Sequence, residues 1–316
     1  MQVFQLCPLH EKMTEMTRCL VCGSEALTGH LSATDALVSG AAFRLQRCMD
    51  CGFIFTADPP DEEHIGKYYL SEDYISHADR KSNLTEVLYH FARRVMLVNK
   101  YRLVVRACRR KTGKLLDIGS GTGYFASFMK EKGWEVQGVE ISEKARNYSV
   151  SRFAIDVVPP GETASLSDKS FDCVTLWHVL EHFYDPDHWL VEIDRILKDD
   201  GRCILALPNV TSADSKWFGS DWAALDVPRH LWHFGPDTLV RYMQRNGFRC
   251  NMIKGMPLDL FYISIMSYKN TGASLAFLRG LATALLLSFK NIFIPNSASS
   301  LIYVFEKQKT SNGQAI

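Results

Sequence analysis

The chain has 316 residues, and 36 Lys and Arg against 35 Asp and Glu leave a formal net charge of +1. With 47% hydrophobic and 22% charged residues it can bury a sizeable core, which excludes a disordered polyelectrolyte, a collagen-like chain and a strongly basic nucleic-acid coat protein. At roughly 150 residues per domain the length suggests about two domains. The neutral average hides an uneven distribution: Arg80 to Lys114 holds eleven Lys or Arg and only Glu86 as an acid, a segment of +10 that leaves −9 for the rest.

Nine cysteines are an odd number for a disulfide framework, in a chain too long to need one. The N-terminal stretch lacks a basic region followed by an apolar core, so it does not read as a secretory signal. The most apolar late stretch, Ser274 to Ile294, is interrupted by Arg279 and Lys290, and its uncharged run falls short of the ~20 residues that span a bilayer. These features point to a cytoplasmic protein and leave open peripheral attachment at the inner membrane face.

In chain order, the first motif is Cys19-x-x-Cys22 and Cys48-x-x-Cys51, each pair followed by glycine (Gly23, Gly52). Between the pairs, Ala41 to Gln46 and Gly52 to Thr56 read as short strands. Four soft ligands at this spacing suit a tetrahedral structural zinc, as in a zinc ribbon, with no position left for substrate. Cys7 and His10 form a further Cys-x-x-His that such a complete sphere does not need.

A turn at Asp58 to Asp61 leads to a helix with Leu84, Val87, Leu88, Phe91, Val95, Val98 and Val105 on one face. Arg102, Arg106, Arg109 and Arg110 stripe its C-terminal half. They read either as a solvated face suited to the negative end of the helix dipole or as a dock for an anionic group. Tyr68, Tyr69 and Tyr74 precede this helix and read as packing residues or as a cover for a bound cofactor.

From Lys114 the pattern alternates. Strands are expected at Lys114–Ile118, Glu135–Glu140, Asp156–Val158, Phe171–Trp177 and Arg202–Leu207, with helices at Tyr124–Lys132, Glu143–Val150 and Asp187–Leu197. Such alternation implies a parallel sheet covered on both faces. Pro236–Asn246 reads as a helix, and Phe248–Lys254 and Leu301–Glu306 as strands. The long connection between those last strands should carry structure of its own.

Leu115 to Gly123 reads LLDIGSGTG, a buried strand entering a glycine turn and then a helix. The glycines admit close approach of a ligand, and the helix N-terminus offers free N–H groups. Glu140 ends the next strand, 21 residues after Gly119, where a carboxylate can accept hydrogen bonds from both ribose hydroxyls. The turn is GxGxG rather than the GxGxxG of dinucleotide sites.

DIGSGTG, then GVEIS, then FDCVTLWHVLEHFYDP resemble the class I S-adenosylmethionine-dependent methyltransferases, in particular the group that includes the ubiquinone-biosynthesis O-methyltransferases. The N-terminal ribbon resembles the zinc-binding module preceding some sugar C-methyltransferases. The resemblance implies an α/β fold: a Rossmann-like seven-stranded sheet, mostly parallel with the last strand antiparallel. The expected organisation is a ribbon over 1–60, a helical connector over 61–112 and a catalytic domain over 113–310, with a helical insertion at about 256–298. Carried over by position, Gly119, Ser120, Gly121, Gly123 and Tyr124 would hold the methionine part of S-adenosylmethionine, with Asp117 near its amino group. Glu140 would hold the ribose, Ile141 would pack on adenine, and Glu162 and Thr163 would read the adenine edge, although the usual Asp is missing there. Trp177 and His178 would end the fourth strand beside the sulfonium, and Asp172 would fix that strand's entry.

Methyl transfer is an in-line displacement, so the protein mainly aligns the nucleophile and removes its proton. His178, Glu181 and His182 occur as H-x-x-E-H; His182 is the first choice for the base, with Glu181 orienting it. The same string is the inverted zinc-protease motif, but here it follows a strand inside a methyltransferase pattern. Glu181 and His182 could also hold a divalent ion. In Asp226 to Phe234, Arg229, His230 and His233 are candidates to bind or deprotonate substrate, or to pin a long loop. Asp259 to Ile294 forms two apolar helical stretches that read as a cap, a homodimer interface, a substrate lid or a membrane-facing patch. The expectation is a methyltransferase for a small-molecule, glycosyl or lipid-linked acceptor, through a hydroxyl. An RNA methyltransferase and a non-catalytic cofactor-binding protein are the alternatives. Against RNA, Thr17 to Thr56 balances Arg18, Arg44 and Arg47 with Glu25, Asp35 and Asp50.

Overall fold

The computed structural model describes residues 16–69, 83–294 and 296–308. Cys7, His10 and Tyr74 lie outside the described residues, as do the side chains of Leu84, Val87, Leu88 and Phe91. The ribbon consists of β1 (Leu27–Thr34), β2 (Ala42–Cys48) and β3 (Ile54–Thr56). A long helix α1 (Asn83–Cys108) leads into the alternating part: β4 (Lys114–Ile118), α2 (Tyr124–Glu131), β5 (Glu135–Val139), α3 (Glu143–Phe153), β6 (Asp156–Val158), β7 (Phe171–Trp177), α4 (Pro186–Ile196) and β8 (Leu197–Pro208). The chain continues through α5 (Ala213–Phe218), β9 (Trp232–His233), α6 (Pro236–Arg245) and β10 (Phe248–Gly255), then α7 (Asp259–Asn270), α8 (Ala276–Phe293) and β11 (Ser300–Lys307).

The larger sheet has seven strands in the order β10-β11-β8-β7-β4-β5-β6. The strands β4, β5, β6, β7 and β8 run parallel to one another, and β11 runs antiparallel between β8 and β10. Numbered within this sheet alone, the strands read 3-2-1-4-5-7-6 from the β6 edge, the arrangement expected of the methyltransferase sheet. Strand β7 is buried at every position but its last, as a parallel strand covered on both faces must be. Leu115 and Leu116 are fully buried on opposite faces of β4, following the two-residue alternation of a strand.

One face packs against Leu103 and Val104 of α1 and Phe125 and Met129 of α2. On the other face, Leu116, Ile118 and Leu176 share a core with Cys19, Val21, Cys48, Phe53 and Phe55 of the ribbon. The ribbon and the sheet are therefore fused by a continuous apolar interior. The ribbon sheet has the order β1-β2-β3-β9, so its fourth strand comes from residues 232–233 of the later chain. β1 carries little of this core, with only Ala33 buried along its length.

A buried ion pair ties the same parts together. The Arg229 side chain is 1% exposed, and its guanidinium contacts Asp35 of the ribbon (3.1 Å) and Asp226 (2.6 Å). It also donates to the Tyr68 carbonyl at 3.0 Å. Asp35 is fastened in turn by Ser39, whose backbone N–H (2.8 Å) and hydroxyl (2.7 Å) both donate to it. Removing one member of such a pair leaves a buried charge uncompensated. Arg229→Ala should therefore lower stability by about 3–5 kcal/mol in urea unfolding, with Arg229→Lys retaining part of the loss because it keeps the charge but not the fork. A change below about 1 kcal/mol would show that the ion pair does not hold ribbon and sheet together.

Candidate active site

The C-terminal ends of β4, β5 and β7 open onto one edge of the sheet. After β4, Gly119, Gly121 and Gly123 take φ values of 71°, 53° and 79°, a region L side chains rarely adopt. The Gly119 and Ser120 amides donate to the Val139 carbonyl at 2.8 and 3.0 Å, which fastens the turn to β5. A Cβ at Gly119 would lie 2.4 Å from Val179 Cγ2, so backbone and space both require glycine there. Gly123 begins α2 without a side-chain cap, which leaves first-turn amides for an anionic group.

The Glu140 carboxylate accepts from the Gly121 amide (2.8 Å) through Oε2 and from the Ser142 amide (2.9 Å) through Oε1. Each oxygen keeps a further acceptor site for a ribose hydroxyl. Beside it, Ile141 is 74% exposed. The Ser120 hydroxyl is buried with no hydrogen-bond partner, so the turn has an unused polar group. Glu162 is exposed, whereas Thr163 is buried and its hydroxyl donates to the Pro160 carbonyl. Tyr124 pairs with Tyr148 at 3.2 Å between the hydroxyls. These features fit S-adenosylmethionine: the uncapped first turn of α2, a buried hydroxyl at the glycine turn, a ribose acceptor and an open apolar side chain.

Asp117 sits under the turn, and Thr175 Oγ1 donates to it at 2.6 Å. Burial pushes its carboxyl up to about 7, the hydrogen bond and the Lys100 charge only partly opposing. Lys100 of α1 lies 4.1 Å over the Trp177 ring. Burial brings its ammonium down to about 8, against the pull of Asp117 and Asp259. Trp177 is packed edge-on by Phe125 at 5.3 Å. Lys100 and Asp259 are the site residues that sequence reasoning did not single out. Lys100 is hidden in a run of cations, and Asp259 lies 81 residues from the histidine it meets.

Past β7, His178 has φ 59° and bridges two carboxylates, with Nδ1 3.6 Å from Glu181 and Nε2 3.4 Å from Asp259. Burial alone would depress this imidazole, but the two carboxylates outweigh it and hold it at about 9. His178 is accordingly a cation. Glu181 and His182 follow in a short 3-10 turn, Leu180–His182. The Leu231 amide donates to the Glu181 carbonyl at 2.8 Å, bringing the loop of Arg229 and His230 against this turn.

His182 Nδ1 lies 3.0 Å from the Arg229 carbonyl and 3.1 Å from the Tyr69 hydroxyl. His230 Nδ1 lies 3.0 Å from the Ala224 carbonyl. A carbonyl only accepts, so Nδ1 carries a proton in both rings; in a neutral His182 this leaves the lone pair on Nε2, whereas His230 Nε2 stands 3.8 Å from Asp226 Oδ2. The rings meet edge-on with centroids 4.6 Å apart. Burial and the neighbouring His230 bring His182 down to about 4, so it is neutral at physiological pH. One donor atom each from Glu181, His182 and His230 lies within 4.8 Å of the others. Apart from His178, neither buried oxygen of Glu181 has a polar partner. Glu181 and neutral His182 present converging acceptors beside His230, which is the chemistry of a site for a cation or for an acidic hydroxyl.

His233 is placed differently. Its Nε2 lies 3.2 Å from Thr56 Oγ1, which itself donates to the His230 carbonyl, so His233 serves the seam between β3 and β9. Asp172 accepts from the Lys114 amide and Lys198 and pairs with Arg110, fastening the entry of β7. Arg106 and Arg109 line a cavity of about 470 Å³ with Arg202, Arg249 and Glu306. That cavity lies at the opposite edge of the sheet from the glycine turn.

In the ribbon, the four cysteine sulfurs lie within 4.8 Å of one another. Cys19–Cys51 and Cys22–Cys48 are each 3.5 Å apart. Four ligands at about 2.3 Å from a tetrahedral zinc stand about 3.8 Å from each other, so the set fits.

A family model described as "Methyltransferase domain" matches residues 88–251, just over half of the chain. The Ubiquinone biosynthesis O-methyltransferase of Thiobacillus denitrificans is 32% identical over 167 residues, which cover 47% of this chain and 71% of that protein. The protein of the same name from Pelagibacter ubique is 26% identical over 163 residues, covering 48% and 67%. Among solved structures, a SAM dependent methyltransferase from Archaeoglobus fulgidus is 22% identical with a TM-score of 0.47, covering 68% of this chain and 94% of that one. Haemonchus contortus phosphoethanolamine N-methyltransferase 2, in complex with S-adenosyl-L-methionine, is 18% identical with a TM-score of 0.45, covering 67% and 53%. The chain belongs to the methyltransferase-domain family. Its activity is S-adenosylmethionine-dependent methyl transfer.

In the glycine turn, Gly119→Ala forces a Cβ into Val179 from a left-handed backbone. Thermal unfolding should report a loss of at least about 1–2 kcal/mol. An unchanged melting temperature would show that the turn accommodates a side chain.

Proposed function

We propose that the chain moves the methyl group of S-adenosylmethionine to a hydroxyl of a small-molecule, glycosyl or lipid-linked acceptor, with His182 as the base. The observation that carries this reading is the His182 tautomer: Nδ1–H is committed to the Arg229 carbonyl, which leaves Nε2 to take the hydroxyl proton. That the similar proteins from Pelagibacter ubique and Thiobacillus denitrificans are named O-methyltransferases supports oxygen as the acceptor atom. In this reading the cofactor supplies the activated methyl and a neutral thioether leaving group. Gly119, Ser120, Gly121, Gly123 and Tyr124 seat its methionine part, Glu140 takes the ribose, Ile141, Glu162 and Thr163 border the adenine, and Trp177 walls the transfer position. RNA is disfavoured because Arg106 and Arg109 face the opposite sheet edge. His182→Ala should reduce methyl transfer by about 10²–10⁴-fold with cofactor affinity unchanged. Unchanged turnover would remove His182 from the chemistry.

A second reading is favoured by the orphaned Glu181 oxygens. Glu181, His182 and His230 would hold a divalent ion, which would acidify an acceptor hydroxyl. Activity that survives dialysis against a strong chelator would leave His182 acting alone.

Asp117 provides a pH test of the cofactor site. Its carboxyl is held at about 7 by burial, so below that pH it is largely protonated. A cofactor ammonium beside it stabilises the carboxylate, so binding expels a proton there and affinity rises towards about pH 7. Calorimetry at about pH 6 in buffers of different ionisation enthalpy should show this release, and Asp117→Asn should abolish it. No binding at high micromolar cofactor would defeat the assignment.

The ribbon reading assigns one zinc to Cys19, Cys22, Cys48 and Cys51. Elemental analysis should find close to one zinc per chain, and Cys22→Ser should lose most of it. A metal-free protein with an unchanged melting temperature would refute the assignment.

A further inference from the structure

The hairpin of α7 and α8 has its apolar faces in an unusual arrangement. Its inner face is complete: Ala284 and Leu287 of α8 are buried with Leu260 of α7. Gly280 brings the helices together where a Cβ would lie 2.5 Å from the Ile265 backbone. The Tyr268 and Thr283 hydroxyls pair across the hairpin at 3.2 Å. An amphipathic helix packed on one face ordinarily shows a polar face to water. Here the opposite face of α8 is apolar as well, with Leu278, Leu285, Leu286, Phe289 and Phe293 exposed by 56%, 58%, 60%, 66% and 69%. These positions recur at helical spacing along all 18 residues of the helix. Monomeric soluble proteins rarely show so large a continuous apolar surface without using it.

The charges around this face have one sign. Between 256 and 299 the only acid is Asp259, which is engaged by His178. Lys269, Arg279 and Lys290 are exposed, and no ion pair to them occurs among the described residues. Next to the hairpin, Phe218 of α5 packs on Tyr268 at 5.0 Å. Its neighbours Lys216 and Trp217 are exposed, Trp217 by 54%. Apolar anchors flanked by cations and an exposed tryptophan are the composition of a helix that lies in a headgroup layer. No helix among the described residues is long and apolar enough to cross a membrane.

We infer that the outer face of α8 docks on an anionic lipid surface, with Leu285, Phe289 and Phe293 inserted among the acyl chains and Arg279 and Lys290 on the headgroups. Charge complementarity selects this occupant over a second copy of the chain, because apposed copies would bring like charges together. The docking also places the active site at the lipid surface. α7 starts at Asp259, the partner of His178, and Ser267 of α7 accepts from the Ala223 amide at 2.9 Å. Ala224 next to it holds His230. An acceptor anchored in the bilayer would then reach the site without leaving the membrane. Docking itself does not depend on the acceptor proposed above.

The test is flotation of the full-length chain with phosphatidylcholine vesicles, either pure or with about a third of the lipid replaced by phosphatidylglycerol. The chain should float with the anionic vesicles and remain behind with the neutral ones. Arg279→Gln with Lys290→Gln should weaken binding about thirtyfold. Leu285→Ser, Phe289→Ser and Phe293→Ser together should abolish it. Both variants should keep the melting temperature and the affinity for S-adenosylmethionine, so a docking failure is separable from a failed methyltransferase site. Absence of flotation with anionic vesicles overturns the inference, as does equal binding to neutral ones. A wild-type dimer that the serine variant converts to monomer, without vesicle binding, assigns the face to a second copy and also overturns it.

Discussion

Arg229 is the residue on which both the ribbon and the acceptor-side site depend. Its guanidinium lies between Asp35 of the ribbon and Asp226 of the late loop, and its own backbone carbonyl fixes the proton on His182. Burial would lower its pKa, but the carboxylates of Asp226 and Asp35 raise it instead. A buried ion pair is weak evidence for stability in itself, because desolvation offsets much of the attraction. Its value here is positional. A charge that can be satisfied in only one place holds the loop against the 3-10 turn of Glu181 and His182. Asp35 of the ribbon and the carbonyl that orients a candidate base are thus joined through a single residue, Arg229.

The two halves of the site differ electrostatically. On the cofactor side, Asp117 and Lys100 have pKa values displaced towards each other, each by burial. Such a pair accepts a zwitterionic ligand with small proton movements, since an ammonium and a carboxylate can replace their mutual attraction. On the acceptor side, Glu181 and the neutral His182 ring converge beside His230, while the His178 cation stands behind them between Glu181 and Asp259. His178 balances the charge of Glu181 without filling the space in front of it. In the proposed reaction that space is where the acceptor hydroxyl would meet the lone pair of His182.

The parts of this structure that were legible in the sequence are those whose determinants are local. β4, β6 and β7 have the bounds expected of them; for β4 and β7 the reason is that a strand buried on both faces has no other way to satisfy its composition. The glycine turn and Glu140 were readable for the same reason: φ above zero and a fixed strand end are encoded within a few residues. β1 was missed because Leu27–Thr34 contains Gly29 and buries only Ala33, leaving little alternation to detect. β8 proved longer than its expected six residues because it begins directly at the end of α4. β9 could not be read at all. Two residues form a strand only because β3 lies beside them, and β3 is 176 residues away in the chain. The grouping of His230 with His182, and the placing of His233 with Thr56, depend on that same pairing.

The basic segment shows why a charge count cannot be read as a surface. Its cations do four different things. Arg110 neutralises Asp172 under β7, Lys100 enters the cofactor side of the site, Lys114 pairs with Glu135 across the strand entry, and Arg106 and Arg109 line the cavity at the far sheet edge. Several of the acids they meet come from the rest of the chain, which carries the compensating negative charge. What appears as a large local excess in sequence is therefore partly consumed across the fold. In the hairpin the reverse holds. Lys269, Arg279 and Lys290 amount to only three charges, yet no acid of that segment opposes them and an apolar face lies between them. Screening over about 8–10 Å makes the local balance, not the total, the quantity a partner meets. A weak charge beside exposed phenylalanines is thus a stronger determinant of binding than a large one already paired within the protein.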